Sequence, residues 1–166
     1  MKSFLLLMVF ALLAGISKHS YGSEISEKAD NSPGQFRETV EMIEEGNFVF
    51  NARRVHPGAG RSIDLSTRYA VMEISGNDAK ARLPFFGRAY QLRYSGRGGI
   101  EFSGPMENVT ISEDPDRKRI NYSFDVRDFD HYRVNMVIHA NGNTTVYINS
   151  NYRSNISYQG RISASG

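Results

Sequence analysis

Two periodicities divide the chain into a short helical segment and a long segment of strands. Phe36, Val40 and Ile43 recur at helical spacing and predict one amphipathic helix with a single apolar stripe. Pro33 suits the first helical position, and Gly46 suits the position just beyond the last turn. Because so short a helix is marginal alone, we expect it to pack on the rest of the domain.

From Asn47 onward, apolar and polar residues alternate with period two, as in strands with one buried face. The alternating segments are Phe48–Arg53, Ala70–Ile74, Ala79–Phe85, Ile100–Phe102, Val109–Ile111, Ile120–Arg127, Tyr132–Ile148 (a hairpin) and Ile156–Ile162. About ten short strands after one helix predict a mainly β fold. It is either an antiparallel β-barrel or a two-layer sandwich, with the N-terminal helix packed on it.

The clearest hairpin spans Tyr132–Ile148. A three-residue loop with Gly142 in the left-handed conformation would place Ile138 opposite Thr144 and Met136 opposite Val146. A two-residue turn would instead mix polar with apolar partners across the pair. The sequence therefore favours the first register.

The N-terminus has the pattern of a secretory signal peptide. A basic start at Lys2 precedes the apolar run Phe4–Ile16, and the small residues Ser20 and Gly22 follow at cleavage-site spacing. The run is too short to cross a hydrocarbon core of about 30 Å comfortably. We expect residues 1–22 to be removed, leaving a protein without a stable membrane span.

Removal of the signal changes the charge of the chain. Lys2 and Lys18 lie in the removed part, so 18 of the 20 basic residues remain, against 18 acidic residues. A mature net charge of zero gives no electrostatic reason to expect nucleic acid or anionic membranes as partners. We expect a flexible leader over residues 23–31 and a single β-rich domain over residues 32–166.

The chain contains no cysteine, which excludes disulfides, thiolate metal ligands, a cysteine nucleophile and a lipid-modified N-terminal cysteine. No catalytic motif is present, so we assign no catalytic residue, no metal site and no cofactor. Asp125, Asp128, Asp130 and His131 could in principle hold a cation. The run lies where one predicted strand turns into the next, and because aspartates commonly hydrogen-bond a turn, we favour the turn.

The candidate binding site lies in the segment Arg82–Tyr90. Pro84 cannot donate to a strand ladder, which suggests a strand that bends or lies at a sheet edge. Phe85 and Phe86 would point to opposite faces if extended, leaving one ring outside the core. Two interpretations remain: Phe85, Phe86, Arg88 and Tyr90 bind a ligand or partner, or the outer ring is covered by the N-terminal helix.

Several motifs together resemble a known family. They are the signal peptide, Leu83–Tyr90, Gly98–Phe102 and Ile156–Gly160, in that order. The chain resembles the bacterial domain of unknown function family number 4251 over nearly the whole mature sequence. The resemblance implies a secreted or envelope protein of Gram-negative bacteria and names no activity. The missing lipid-anchor cysteine favours a soluble periplasmic or extracellular protein.

We therefore expect a non-enzymatic periplasmic or envelope domain that binds a small ligand or an envelope partner. One alternative is a hydrolase acting on envelope or dietary polymers. Only the expected export of the protein and its scattered carboxylates support this alternative. Another is a structural or assembly module that uses an exposed sheet edge near Pro84 for strand addition.

Expression of the full chain in a Gram-negative host should yield a mature form that begins at Ser23, because small residues precede this bond. Mass spectrometry of the N-terminal peptide checks the cleavage site. Gly22→Ala should be processed normally, whereas Gly22→Arg should remain uncut. A product that keeps Met1 in the membrane fraction would contradict the prediction.

Overall fold

The structure, a computed structural model, describes residues 33–91 and 98–165. The signal peptide and leader predicted over residues 1–31 lie outside this range. The elements in chain order are α1 (Pro33–Glu44), β1 (Asn47–Pro57), β2 (Ile63–Asp64), β3 (Val71–Ser75), β4 (Asp78–Leu83), β5 (Ile100–Asp114), β6 (Arg119–Arg127), β7 (His131–His139), β8 (Asn143–Ser150) and β9 (Ile156–Ala164).

The sheet closes on itself. Eight antiparallel strands follow in the order β1-β3-β4-β5-β6-β7-β8-β9, and β9 pairs with β1 along nearly its whole length. The two-residue strand β2 pairs with the second half of β1. The prediction of a mainly β fold is confirmed, and of its two architectures the closed barrel is correct because all strands belong to one continuous sheet.

The antiparallel order gives the barrel two distinct ends. The helix end carries the connections 76–77, 115–118 and 140–142, and the opposite end, the rim, carries 58–62, 84–91, 128–130 and 151–155. The helix α1 packs at the helix end, where the Thr39 hydroxyl donates to the Ala140 carbonyl at 2.7 Å and Ile43 is buried. Among the residues described, no helix has the length and apolarity to span a bilayer.

Local sequence signals set the helix terminus and the β7–β8 hairpin as predicted. Gly46 adopts a φ of 67° and closes α1 with a hydrogen bond to Ile43. In the hairpin, Ile138 lies opposite Thr144 and Met136 opposite Val146, around a left-handed Gly142.

Side chains fill the barrel interior. Inward positions of β1, β5, β6 and β7 supply aromatic rings that touch one another: the centroids of Phe48 and Tyr122 are 5.9 Å apart, and those of Phe102 and Tyr132 5.0 Å. An eight-stranded barrel is just wide enough for side chains to fill. Functional chemistry is therefore expected at an end or on the outer wall.

The structure corrects two details of the strand prediction. The segments at Ile100 and Val109 belong to one strand, β5, which continues through a bulge where Asn108 adopts a φ of 53°. Pro84 does not lie at a sheet edge: β4 ends at Leu83 and is paired with β3 on one side and β5 on the other. Strand addition near Pro84 therefore has no free edge to use.

Closure of the barrel depends on a close approach of β9 to β1. The register of the pair shifts between Ala52 and Arg54, which makes Arg53 the extra residue of a bulge. Opposite it, a Cβ atom on Gly160 would overlap the Asn51 carbonyl oxygen and lie 2.9 Å from the Ala52 Cα. Gly160 is therefore a point of close backbone approach.

Gly160→Ala should lower the free energy of unfolding by about 2 kcal/mol or more, because the methyl group overlaps backbone that side-chain motion cannot relieve. Urea denaturation of the purified mature protein measures the loss. Gly104→Ala in β5 is the matched control, since its Cβ would meet nothing nearer than the Arg127 carbonyl at 3.9 Å. Equal stability of the two variants would refute this account of the closure.

Candidate functional site

The segment singled out in the sequence lies at the rim and divides into two halves. Its first half, Pro84 to Phe86, leaves the end of β4 and covers the rim end of the core. Tyr158 is buried in the core, and its hydroxyl donates a hydrogen bond to the Pro84 carbonyl at 2.9 Å. Burial raises the pKa of Tyr158, which keeps this hydroxyl a donor.

Phe85 and Phe86 are half-buried and pack against the core rather than standing on opposite faces of a strand. Each ring also contacts a guanidinium group: Arg153 Cζ lies 5.1 Å from the Phe85 centroid, and Arg68 Cζ lies 5.7 Å from the Phe86 centroid. The helix α1 lies at the opposite end of the barrel, so it does not cover this surface. Direct ligand contact by the two phenylalanines stays a prediction.

The second half of the segment, residues 87–90, pairs with the β8–β9 connection. Ala89 forms an antiparallel bridge with Arg153, the Tyr90 N–H donates to the Tyr152 carbonyl, and the Ser154 N–H donates to the Arg88 carbonyl. This pairing holds residues 88–90 extended, so Arg88 and Tyr90 project to the same side. Both are exposed, and Tyr90 keeps 66 % of its surface accessible.

Gly87 makes this pairing possible. A Cβ atom there would lie 2.5 Å from the Ser154 hydroxyl oxygen and 2.6 Å from the Phe85 ring. The Ser154 hydroxyl instead accepts a hydrogen bond from the Arg88 N–H at 3.1 Å. A side chain at position 87 would have to displace one of these two groups, so the glycine leaves room for both between the half-buried Phe85 and the exposed Arg88.

A cleft of about 910 Å³ opens beside Arg88 and Tyr90. Its described lining residues are Gly58, Ala59, Gly87, Arg88, Tyr90, Arg153, Ser154 and Asn155. The volume lies within the range of about 300–1,000 Å³ that is usual for small-molecule sites. We call this the rim cleft.

Arg153 is the electrostatic centre of the rim cleft. The residue is 8 % exposed, its Nη1 donates to the Gly98 carbonyl at 2.9 Å, and its guanidinium carbon lies 5.1 Å from the Phe85 ring centroid. Within residues 33–91 and 98–165, no carboxylate oxygen lies within 4 Å of this guanidinium or that of Arg88. The described lining thus presents two cationic groups and no carboxylate.

The sequence did not indicate Gly58, Ala59 or Arg153. Residues 58–60 have the composition of an ordinary loop, and Arg153 follows a polar, asparagine-rich stretch. Only closure of the barrel brings their two connections beside Arg88. The lengths of the connections at the rim could have suggested that these loops are neighbours, but no local sequence pattern identifies Arg153 as a site residue.

The aspartates of the β6–β7 connection form hydrogen bonds that stabilise the turn, as the turn interpretation predicted. Asp130 is buried and accepts hydrogen bonds from the N–H groups of His131 and Asn151 and from the Ser150 hydroxyl, which ties the turn to the β8–β9 connection. In the part of the chain described, no three metal-ligating side chains come together.

Asp125 belongs to a separate network on the outer face of β6. It accepts hydrogen bonds from Arg133 Nε at 2.9 Å and from Asn108 Nδ2 at 3.1 Å, and His131 Nε2 lies 3.7 Å away. The hydrogen bond from Arg133 is the main reason that the pKa of Asp125 lies below its ordinary value. The bulge at Asn108 brings its amide to this carboxylate.

A pair of carboxylates, Glu101 and Asp128, lines a separate hollow of about 170 Å³ that also contains Lys80 and Arg82. This volume is below the usual range for small-molecule sites. The hollow therefore gives the hydrolase alternative little room for a polymer chain.

The model of a protein family described as "Domain of unknown function (DUF4251)" matches residues 31–162. A crystal structure of a DUF4251 family protein from Bacteroides eggerthii DSM 20697 has a similar fold, with a TM-score of 0.62 and 20 % sequence identity. The alignment covers 79 % of this chain and 88 % of that one. No curated protein matches the chain.

Asp125→Asn should lower the free energy of unfolding at pH 7 by about 1–2 kcal/mol, because the ionised carboxylate accepts charge-assisted hydrogen bonds. A carboxyl group whose pKa is lowered by folding stabilises the protein above its unfolded pKa and loses this effect as the pH falls. The variant's stability should therefore depend less on pH between about pH 5 and 2.

Urea titrations at several pH values test this, with Asp116→Asn in the exposed β5–β6 connection as the control. Identical pH dependence in the wild type and Asp125→Asn would contradict the assigned network.

Proposed function

Because the chain belongs to the DUF4251 family, which is described without a function, we propose from its own geometry that it is a secreted binding domain for small organic anions. The signal-peptide pattern in residues 1–22 supports export to the periplasm or beyond. The rim cleft is the proposed site, and Arg88, Arg153 and Tyr90 are its main contacts.

The observation that carries the proposal is Arg153. Its guanidinium is largely removed from water, and the described residues offer it a carbonyl and an aromatic face in place of a carboxylate. A largely buried cation without an anionic partner retains an electrostatic preference for an anion. Arg88 adds a second positive charge at the same cleft.

The remaining lining residues indicate what else the ligand carries. The exposed Tyr90 ring offers a face for stacking a flat or saccharide ring, and Asn155 offers an amide for hydrogen bonds. Arginine binds carboxylate and phosphate groups in a bidentate manner, so either group suits the cleft. Binding without chemical conversion is favoured because the described lining contains no carboxylate, histidine or lysine for general acid–base catalysis.

Calorimetric titration of the mature protein with glucuronate, benzoate and glucose 1-phosphate, alongside neutral glucose, tests the proposal. At least one anion should bind, and Arg88→Gln or Tyr90→Ala should weaken it by about 10-fold through loss of one charged or stacking contact.

Matched controls are Arg117→Gln and Tyr147→Ala, two exposed residues outside the rim cleft, at the helix end and on the outer wall respectively. Equal binding of the neutral sugar, or full binding by both cleft variants, would overturn the proposed site. Thermal melts of each variant verify that the fold is retained.

A further inference from the structure

The bulge in β1 places two arginines side by side on the outer wall of the barrel. In a regular strand, neighbouring residues face opposite sides, but a bulge adds one residue and redirects a side chain. Here Ala52 and Val55 are buried, whereas Arg53 and Arg54 between them are both exposed. Gly160 permits this arrangement, because any side chain there would collide with the β1 backbone.

The two arginines line a groove of about 550 Å³ across β1, β9 and β8. The strand register places Gln159 of β9 between Arg54 on one side and Thr145 of β8 on the other, and His139 and Asn143 extend the groove towards the helix end. Amide, hydroxyl and imidazole groups therefore continue the polar surface from the guanidinium pair across two further strands.

The groove is electropositive. Asp64 is its acidic lining residue, and it already accepts a hydrogen bond from the Ser66 N–H at 2.8 Å. Hydrogen bonds from Ser66 lower the pKa of Asp64, with a smaller contribution from the charge of Arg54. In the described part of the chain, neither Arg53 nor Arg54 has a carboxylate oxygen within 4 Å.

A second depression of about 490 Å³ adjoins this groove, and the two share Arg53 and Ser66. It continues to Arg68 and to Tyr69, whose ring is 65 % exposed and lies 5.9 Å from the Arg82 guanidinium carbon. We call the two neighbouring depressions together the wall groove. None of its lining residues belongs to the rim cleft.

We propose that the wall groove binds an extended acidic saccharide. Arg53 and Arg54 would contact its carboxylate or sulfate groups, and Asn143, Thr145 and Gln159 would hydrogen-bond its hydroxyl groups. Tyr69 would stack on one of its sugar rings. The neutral hydrogen-bonding groups favour a saccharide over a polymer that carries only phosphate along its backbone.

Binding of the mature protein to oligogalacturonate and to a heparin oligosaccharide distinguishes the carboxylate from the sulfate source. Neutral dextran and double-stranded DNA are the comparison ligands. At least one acidic saccharide should bind, and the double variant Arg53→Gln/Arg54→Gln should weaken it by about 10-fold or more. Affinity should also fall as the salt concentration rises.

The double variant Arg37→Gln/Arg117→Gln, which removes two exposed arginines outside the wall groove, is the charge-matched control. The double variant Arg53→Gln/Arg54→Gln should still bind the small anions tested on the rim cleft, because neither arginine lines that cleft, which separates this proposal from the proposed function. If the double variant does not fold, Tyr69→Ala and Asn143→Ala test the same groove, each with an expected loss of several-fold. The proposal would be overturned if dextran bound as tightly as the acidic saccharides or if DNA bound more tightly than they do. It would also be overturned if the folded variants bound the saccharide with wild-type affinity.

Discussion

The pairing of β9 with β1 is the constraint on which the rest of the structure depends. It joins strands that are about a hundred residues apart in the chain and leaves neither of them as a free edge of the barrel. Regular pairing is interrupted at Arg53, and the interruption is possible because Gly160 has no side chain. The same bulge that shapes the closure also decides which side chains β1 presents to solvent.

A closed barrel with a filled interior leaves only its ends and its wall for recognition. The helix occupies one end, and Pro84 to Phe86 cover the core at the other. The rim cleft therefore lies above the core, between connections, where Gly87 and the short ladder to Arg153 hold Arg88 and Tyr90 outward. Placement of a site on irregular connections over a rigid barrel is common in β proteins.

Local sequence patterns predict much of the fold, and the features that they miss depend on contacts between residues far apart in the chain. The β7–β8 register followed from the alternation of residues and from one left-handed glycine. Pro105 and Asn108 interrupt the alternation of apolar and polar residues along β5, so its two ends have the pattern of separate strands. Pro105 is tolerated where the pairing with β4 ends, and Asn108 is accommodated in a bulge beside Asp125. Arg88 and Tyr90 could be named from sequence, but Arg153 could not, since its role arises only from closure.

The distribution of ion pairs connects the two proposed surfaces. On the β5–β7 side, arginines are matched with acids, as in Arg119 with Asp114, Arg127 with Glu107 and Arg133 with Asp125. Near β1 and the β8–β9 connection, Arg53, Arg54, Arg88 and Arg153 lie more than 4 Å from any carboxylate oxygen of the described residues.

Among the described residues, the acids that pair with arginine lie mainly on the β5–β7 side, so the arginines near β1 and the β8–β9 connection can give that side a positive surface. An anion near this side is attracted within about one Debye length, roughly 8 Å at physiological salt, so the attraction acts at the grooves rather than across the whole molecule.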